Sequence, residues 1–435
     1  MMNIEDLQKL KKQLQPENIP LERRTKIVGN QMIEGEPFAY LENIIRVLRF
    51  DSRLQNAIRL NEFTQQVHVK FPDQYYSDSE ILSDTDEVWL ADWLSRVYQL
   101  RANMKMLHEA IIFIARENKY HPVRDWMKKL KWDGVKRLDT MLIDWCGVSD
   151  SQLHRAYSRR WLIGAVKRLF HATSKNPVYI KSILVLTGQQ NFGKSMFLKT
   201  LCGNQEWFAD TKFNMNHEYA ALKLQGKFIY ELAEWAGRSK DAEIEKAFIS
   251  SASDTVKVPY ARNAVTLPRQ GIMCVTSNRM DLLNDSTGST RFWCVQVGET
   301  INDRFDRDGF EKVVPQIWAE SIHYMMEDEQ HWLTDEEEQL RMDEADIFST
   351  VDPWIDKLEK GDITKPIFLK RGRVDIVDFN HAMNLLEVPM QNRTSGTRSR
   401  IEFCLKKLGY VPYMANLPNG KRKRCYRLQD QTKNV

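Results

Sequence analysis

The segment Gly188-Gln-Gln-Asn-Phe-Gly193-Lys194-Ser195 has the spacing G-x-x-x-x-G-K-[ST]. Its glycines allow backbone N–H groups to close around phosphate oxygens, and a helix opening at its end adds a positive dipole terminus. Gly188, Gln189, Gln190, Asn191, Phe192, Gly193, Lys194, Ser195 and Met196 are therefore candidate nucleotide contacts. In this chemistry Lys194 reaches the β- and γ-phosphates and Ser195 ligates Mg²⁺. The nucleotide expected is ATP.

A phosphate loop needs acidic partners. In Gly226-Lys-Phe-Ile-Tyr-Glu231-Leu-Ala-Glu234 an apolar run ends in two carboxylates. Glu231 stands where a Walker B acid holds Mg²⁺ or polarises the attacking water, and Glu234 is the second candidate; the spacing alone does not decide between them. The next apolar run ends Cys274-Val-Thr-Ser-Asn278, and a polar tip there suits Asn278 to sensing the γ-phosphate. Arg291 follows a glycine turn and precedes Phe292-Trp293, a setting for an arginine finger that serves a neighbouring subunit. Lys257, Tyr260 and Arg262 interleave charge with a ring, as single-strand binders do.

These side chains need a scaffold. The segment 182–186, with its continuous apolar run Ile183-Leu-Val-Leu186, reads as a buried parallel strand and 196–201 as the helix after the loop. Further short apolar runs alternate with helical patterns, which predicts an α/β core over about 178–300. Upstream, apolar residues at helical spacing (Leu41, Ile44, Ile45, Leu48) and the patterns at 87–100 and 104–118, with a short β-prone run at 66–71, predict a mainly helical region. Downstream, helical patterns at 375–386 and 397–408, then a hairpin signal at Leu417-Pro-Asn-Gly420, follow the helix–helix–hairpin order of a winged helix. Arg398 and the run Lys421, Arg422, Lys423 and Arg424 would there lie against DNA phosphates. The segments expected are an N-terminal extension (1–35), a helical N-terminal domain (36–150), the ATPase domain (151–325), an acidic helix and linker (326–365) and a basic winged-helix-like domain (366–435).

The chain has 435 residues and a net charge of +4. That total hides a segregation: residues 327–346 carry ten acidic groups against one basic, while residues 366–435 carry 14 Lys/Arg against five Asp/Glu. The acidic run reads most simply as a solvated helix and linker, and a near-neutral total is thus no argument against a DNA partner. No stretch approaches 18 consecutive apolar residues, and the N-terminus lacks the apolar core of a signal peptide. The six cysteines form no CxxC and read as buried reduced thiols. Together these predict a cytoplasmic location, or the host cytosol if the gene is mobile. Asp84-Thr-Asp86 precedes a helical pattern and reads as a capping segment rather than a metal-binding pair.

The chain resembles the virulence-associated E family of phages and mobile elements, P-loop proteins related to superfamily 3 helicases and phage primase-helicases. The resemblance spans about residues 40–300. Its carriers are Tyr120-His-Pro-Val123, Trp132-Asp-Gly-Val-Lys-Arg-Leu138, the phosphate loop, Glu231-Leu-Ala-Glu234, Pro259-Tyr-Ala-Arg262, Thr276-Ser-Asn-Arg279 and Arg291-Phe-Trp293. It implies an AAA+-like superfamily 3 core, ATP-driven helicase or translocase activity in replication, and Glu231, Asn278 and Arg291 as Walker B acid, sensor and finger. It places Lys257, Tyr260 and Arg262 in a DNA-contacting hairpin, and implies a hexameric ring on single-stranded or forked DNA. Two residues depart from the family pattern: Asn191 stands where glycine is frequent, and Thr290 where a second Arg is common. The same parts would equally serve an origin-binding initiator or helicase loader that meets other replication proteins, or an NTPase effector in phage defence.

Overall fold

The computed structural model describes residues 15–29, 31–71, 79–210, 221–233, 247–256, 264–278, 291–300, 305–344, 353–369, 372–377, 379–390, 393, 395–416 and 422–428. The chain divides into two compact units, of which the first runs to residue 347 apart from 281–284.

The first unit opens with an antiparallel hairpin, β1 (Arg23–Val28) and β2 (Gln31–Pro37). There follow α1 (Leu41–Phe50), β3 (Ile58–Asn61), β4 (Gln66–Val69), α2 (Asp84–Tyr98), α3 (Met104–Glu117) and β5 (Lys119–Tyr120). The three strands form a sheet in the order β4-β3-β5. Helices α1, α2 and α3 bury Ile44, Val47, Leu48, Leu90, Ile111 and Ile114 around it. This region is therefore mixed rather than helical, and the difference has a local cause. Asp51 leaves the helical backbone and ends α1. Its carboxylate is held by Arg53 and by the Tyr98 hydroxyl at 2.6 Å, so Ile58–Asn61 pairs with β4 instead of extending the helix. The capping expectation at Asp84-Thr-Asp86 holds: Ser83 caps α2 and forms a reciprocal capping box with Asp86.

Three helices lead into the central sheet: α4 (Pro122–Met127), α5 (Met141–Cys146) and α6 (Gln152–His171). The sheet comprises β6 (Ile183–Thr187), β7 (Phe208–Ala209), β8 (Ile229–Ala233), β11 (Ile272–Ser277) and β12 (Phe292–Gln296). Helix α7 (Lys194–Leu201) follows β6, and a small antiparallel pair, β9 (Ser253–Val256) and β10 (Val265–Pro268), precedes β11. The strand order is β12-β6-β11-β8-β7, every pairing being parallel. Buried on both faces, β6 and β11 each open with four consecutive apolar residues. Helices α8 (Arg307–Met326) and α9 (Asp335–Glu344) complete the unit.

The acidic run is not simply a solvated helix. Glu329 accepts from both Arg159 and Arg160 of α6, at 2.6 and 2.7 Å, and Glu337 also pairs with Arg160. Lys167 and Asp328 pair at 2.8 Å. The Arg-rich helix and the acidic segment thus neutralise each other.

The second unit contains α10 (Pro353–Lys360), β13 (Thr364–Leu369), β14 (Gly372–Val377), α11 (Phe379–Leu385), α12 (Ser395–Lys407), β15 (Tyr410–Asn416) and β16 (Arg422–Leu428). Its antiparallel sheet has the order β13-β14-β16-β15. Ile401, Cys404 and Leu405 of α12 are buried against Tyr426. The helix–helix–hairpin order is present, with a correction: residues 375–377 belong to β14 rather than to the helix expected at 375–386. β13 and β14 form a further hairpin that the pattern of residues did not reveal.

Candidate nucleotide site

The loop after β6 carries the chemistry. Gly188 and Gly193 have φ of +141° and +110°, a region closed to most side chains. A Cβ at Gly188 would lie 2.7 Å from the Val297 carbonyl oxygen, and one at Gly193 2.7 Å from Phe305 Cβ. Asn191 sits at φ +66°. Asparagine tolerates this left-handed backbone better than most residues, so the departure from glycine preserves the loop shape.

Helix α7 begins at Lys194, with its first turn facing the loop. The Lys194 ammonium donates to the carbonyls of Gly188 at 2.9 Å and Gln189 at 2.8 Å, and to Asn278 Oδ1 at 3.1 Å. Burial lowers its pKa, opposed by the nearby Glu231 carboxylate. Asn278 reaches this point because β11 lies directly beside β6 and ends one residue before it.

Glu231 is the third residue of β8 and almost fully buried, at 1% exposure. Its Oε1 accepts from Ser195 Oγ at 2.7 Å and from Thr276 Oγ1, while Oε2 is buried with no hydrogen-bond partner among the described residues. Lys194, Ser195, Thr276 and Asn278 line one open cleft of about 440 Å³, together with Gln190, Asn191 and Met196. That lies within the range of roughly 300–1,000 Å³ typical of small-molecule sites. It opens at the carboxyl ends of parallel strands, where such sheets bind ligands. Thr276 was not singled out as a site residue, although a hydroxyl directly after the run Ile272-Met-Cys-Val was the available signal.

The other candidates fall elsewhere. Arg291 immediately precedes β12, whose register pairs Phe292 with Ile183 and Gln296 with Thr187. It therefore stands at the amino edge of the sheet, about 16 Å along β6 from the loop at roughly 3.3 Å per residue. Its Nε is buried without a partner among the described residues. Arg398 is exposed on α12. Glu234, Lys257, Tyr260, Arg262 and Lys421 lie outside the described residues. Arg422, Lys423 and Arg424 are placed on β16 by backbone alone. All six cysteines are buried thiols, and none forms a disulfide. No cluster of metal-ligating side chains and no helix able to cross a membrane occurs among the described residues.

Residues 127–349, just over half of the chain, match the family described as the virulence-associated protein E-like domain. The chain belongs to this family. Among solved structures it is similar to an A-form apo structure of the NrS-1 C-terminal region, at 11% identity over 85% of this chain and 96% of that one, with a TM-score of 0.45. A second apo structure of the same region matches at 10% identity over 85% and 95%, with a TM-score of 0.42. No curated protein matches the chain.

Within this virulence-associated E-like domain the Trp132-Asp-Gly-Val-Lys-Arg-Leu138 motif is a structural turn. Asp133 accepts from Arg137 through both oxygens at 2.8 Å, and Trp132 Nε1 donates to the Val135 carbonyl at 3.0 Å. Glu320 of α8, fully buried, accepts from the backbone N–H groups of Arg137 at 2.7 Å and Leu138 at 2.9 Å. The Tyr120-His-Pro-Val123 motif likewise ties elements together. His121 caps α4, and its Nε2 meets Gln270 Oε1 at 2.5 Å just ahead of β11.

Proposed function

We propose that this protein is an ATP-dependent DNA helicase or translocase acting in the replication of a phage or mobile element. The observation that carries the reading is that Lys194, Ser195 and Asn278 line one cleft at the carboxyl edge of a parallel sheet, with the buried Glu231 hydrogen-bonded to Ser195. The strand order supports an AAA+-like core of superfamily 3 type, since β11 brings Asn278 between the loop strand and the acid strand.

In this reading the loop amides and Lys194 bind the phosphates of ATP, and Asn278 contacts the γ-phosphate and orients the attacking water. Glu231 takes the Walker B role, and Glu234 remains the second candidate for it. Ser195 Oγ and the partner-less Glu231 oxygen have the hard-oxygen chemistry that Mg²⁺ prefers. Bound there, Mg²⁺ would neutralise developing charge on the phosphates.

Arg291 stands about 16 Å along β6 from its own loop, which supports the reading that it serves the site of a neighbouring copy, as in a ring, for which a hexamer is the expected form. Lys257, Tyr260 and Arg262 contact single-stranded DNA, and the second unit works as a winged-helix-like module carrying Arg398 and the basic run 421–424. The test is strand displacement and ATPase by the purified chain. Lys194→Ala should abolish both, and normal turnover in that variant would remove the assignment. Arg291→Ala should bind ATP without hydrolysing it, and mixing the two variants should restore some turnover.

A further inference from the structure

A second cavity, of about 290 Å³, adjoins the phosphate cleft. Met196 lines both. One wall is the face of α7 carrying Met196, Lys199 and Thr200, at i, i+3 and i+4; the other is the face of α8 carrying Arg307 and Glu311. Trp126 lies at the base, where Gly203 packs so closely that a Cβ would fall 2.8 Å from the indole.

The loop gives a bound triphosphate a direction. Asn278 and Glu231 mark the end where the γ-phosphate belongs, and Met196, one residue past Ser195, marks the other. The remaining faces of α7 are closed, because Phe197, Leu198 and Leu201 are buried in the core. A chain leaving the loop along α7 thus passes over Met196 and Lys199. There it meets three charged side chains, Lys199, Arg307 and Glu311, none of which has a hydrogen bond or ion pair among the described residues. Two cations and a carboxylate beside an aromatic wall suit a ribose and a nucleobase.

We infer that this cavity is the subsite for the ribose and base of the nucleotide, with Arg307 and Glu311 as its polar contacts. The carboxylate of Glu311 accepts from an exocyclic amine of the base, and Arg307 donates to a ring nitrogen or ribose hydroxyl. The inference rests on the nucleotide reading of the loop, so its test must fail separately from that reading. Inorganic tripolyphosphate separates them, since it carries the phosphates without sugar or base.

The experiment measures equilibrium binding of ATP and of tripolyphosphate, both with Mg²⁺, to the full chain, to Arg307→Ala/Glu311→Gln and to Lys194→Ala. Both changed positions of the double variant are exposed, and a matching circular dichroism spectrum and melting curve verify its fold. The double variant should bind ATP about tenfold more weakly, with tripolyphosphate binding unchanged, whereas Lys194→Ala should lose both ligands. Unchanged ATP affinity in the double variant would overturn the subsite. So would an equal loss of tripolyphosphate, which would assign the cavity to phosphate instead. Normal ATP binding by Lys194→Ala would instead sink the loop assignment.

Discussion

Replacing Glu231 by Gln should raise stability while sharply lowering turnover. The carboxylate is 1% exposed, and only Oε1 is satisfied, by the hydroxyls of Ser195 and Thr276. Oε2 lies buried with no donor among the described residues. A charged group left unsatisfied in this way costs about 3 kcal/mol. The amide keeps the shape and the Oε1 acceptor. It loses about 1 kcal/mol because hydrogen bonds to a neutral acceptor are weaker, and about 1 kcal/mol more for the N–H₂ group left facing the same space. The balance favours Glu231→Gln by about 1 kcal/mol, which for a unit of this size raises Tm by about 2 °C. ATP binding should persist, because Lys194 and the loop are untouched, while single-turnover hydrolysis falls by about 10²-fold or more. Differential scanning calorimetry without nucleotide and a radiolabelled ATPase assay read the two effects. A lower Tm would refute the account of Glu231 as a stored cost, and preserved hydrolysis would refute its role.

His121 should make stability depend on pH. Burial and the neighbouring Arg124 push its pKa down to about 4, so the folded chain holds fewer protons than the unfolded one between about 6.5 and 4. Stability is full above about pH 6.5 and falls by up to about 3 kcal/mol as pH drops through that window; urea titrations at pH 7.5 and 4.5 measure it, and His121→Gln should flatten the profile. Glu320→Ala should remove about 3 kcal/mol by stranding the Arg137 and Leu138 N–H groups, seen as a Tm lower by about 6 °C. Gly188→Ala should cost several kcal/mol, because its Cβ would press on Val297 in a backbone region that alanine avoids; loss of ATP binding in an equilibrium titration should accompany the lower Tm.

The parallel core was legible because its strands are buried on both faces and therefore read as unbroken apolar runs. The same criterion failed where pairing is set from a distance. Ile58–Asn61 becomes a strand through β4 and β5, and Gly372–Val377 through β13; the β-prone run at 66–71 marks β4, but local periodicity shows neither what it pairs with nor β13. Hairpin β1–β2 was missed for a related reason. Its two strands are mostly exposed and mix charged with apolar residues, so no alternation marks a core face. The acidic run misled differently: its partners on α6 lie more than 160 residues away in sequence, and charge counted along the chain does not reveal a pairing across it.

At the site, the residues that local grammar specifies came together. A phosphate loop states its own spacing, and a polar residue ending an apolar run sits at a strand tip, so Lys194, Ser195, Glu231 and Asn278 were within reach of pattern reading. Which edge of the sheet a residue occupies is another matter, because that depends on strand direction. Arg291 comes just before β12, whereas Asn278 comes just after β11, and in a parallel sheet those positions fall on opposite edges. The sequence distance between Arg291 and the loop says nothing of this. The register does: it sets Asn278 beside Lys194 at the cleft and Arg291 at the opposite edge, about 16 Å along β6 from the loop.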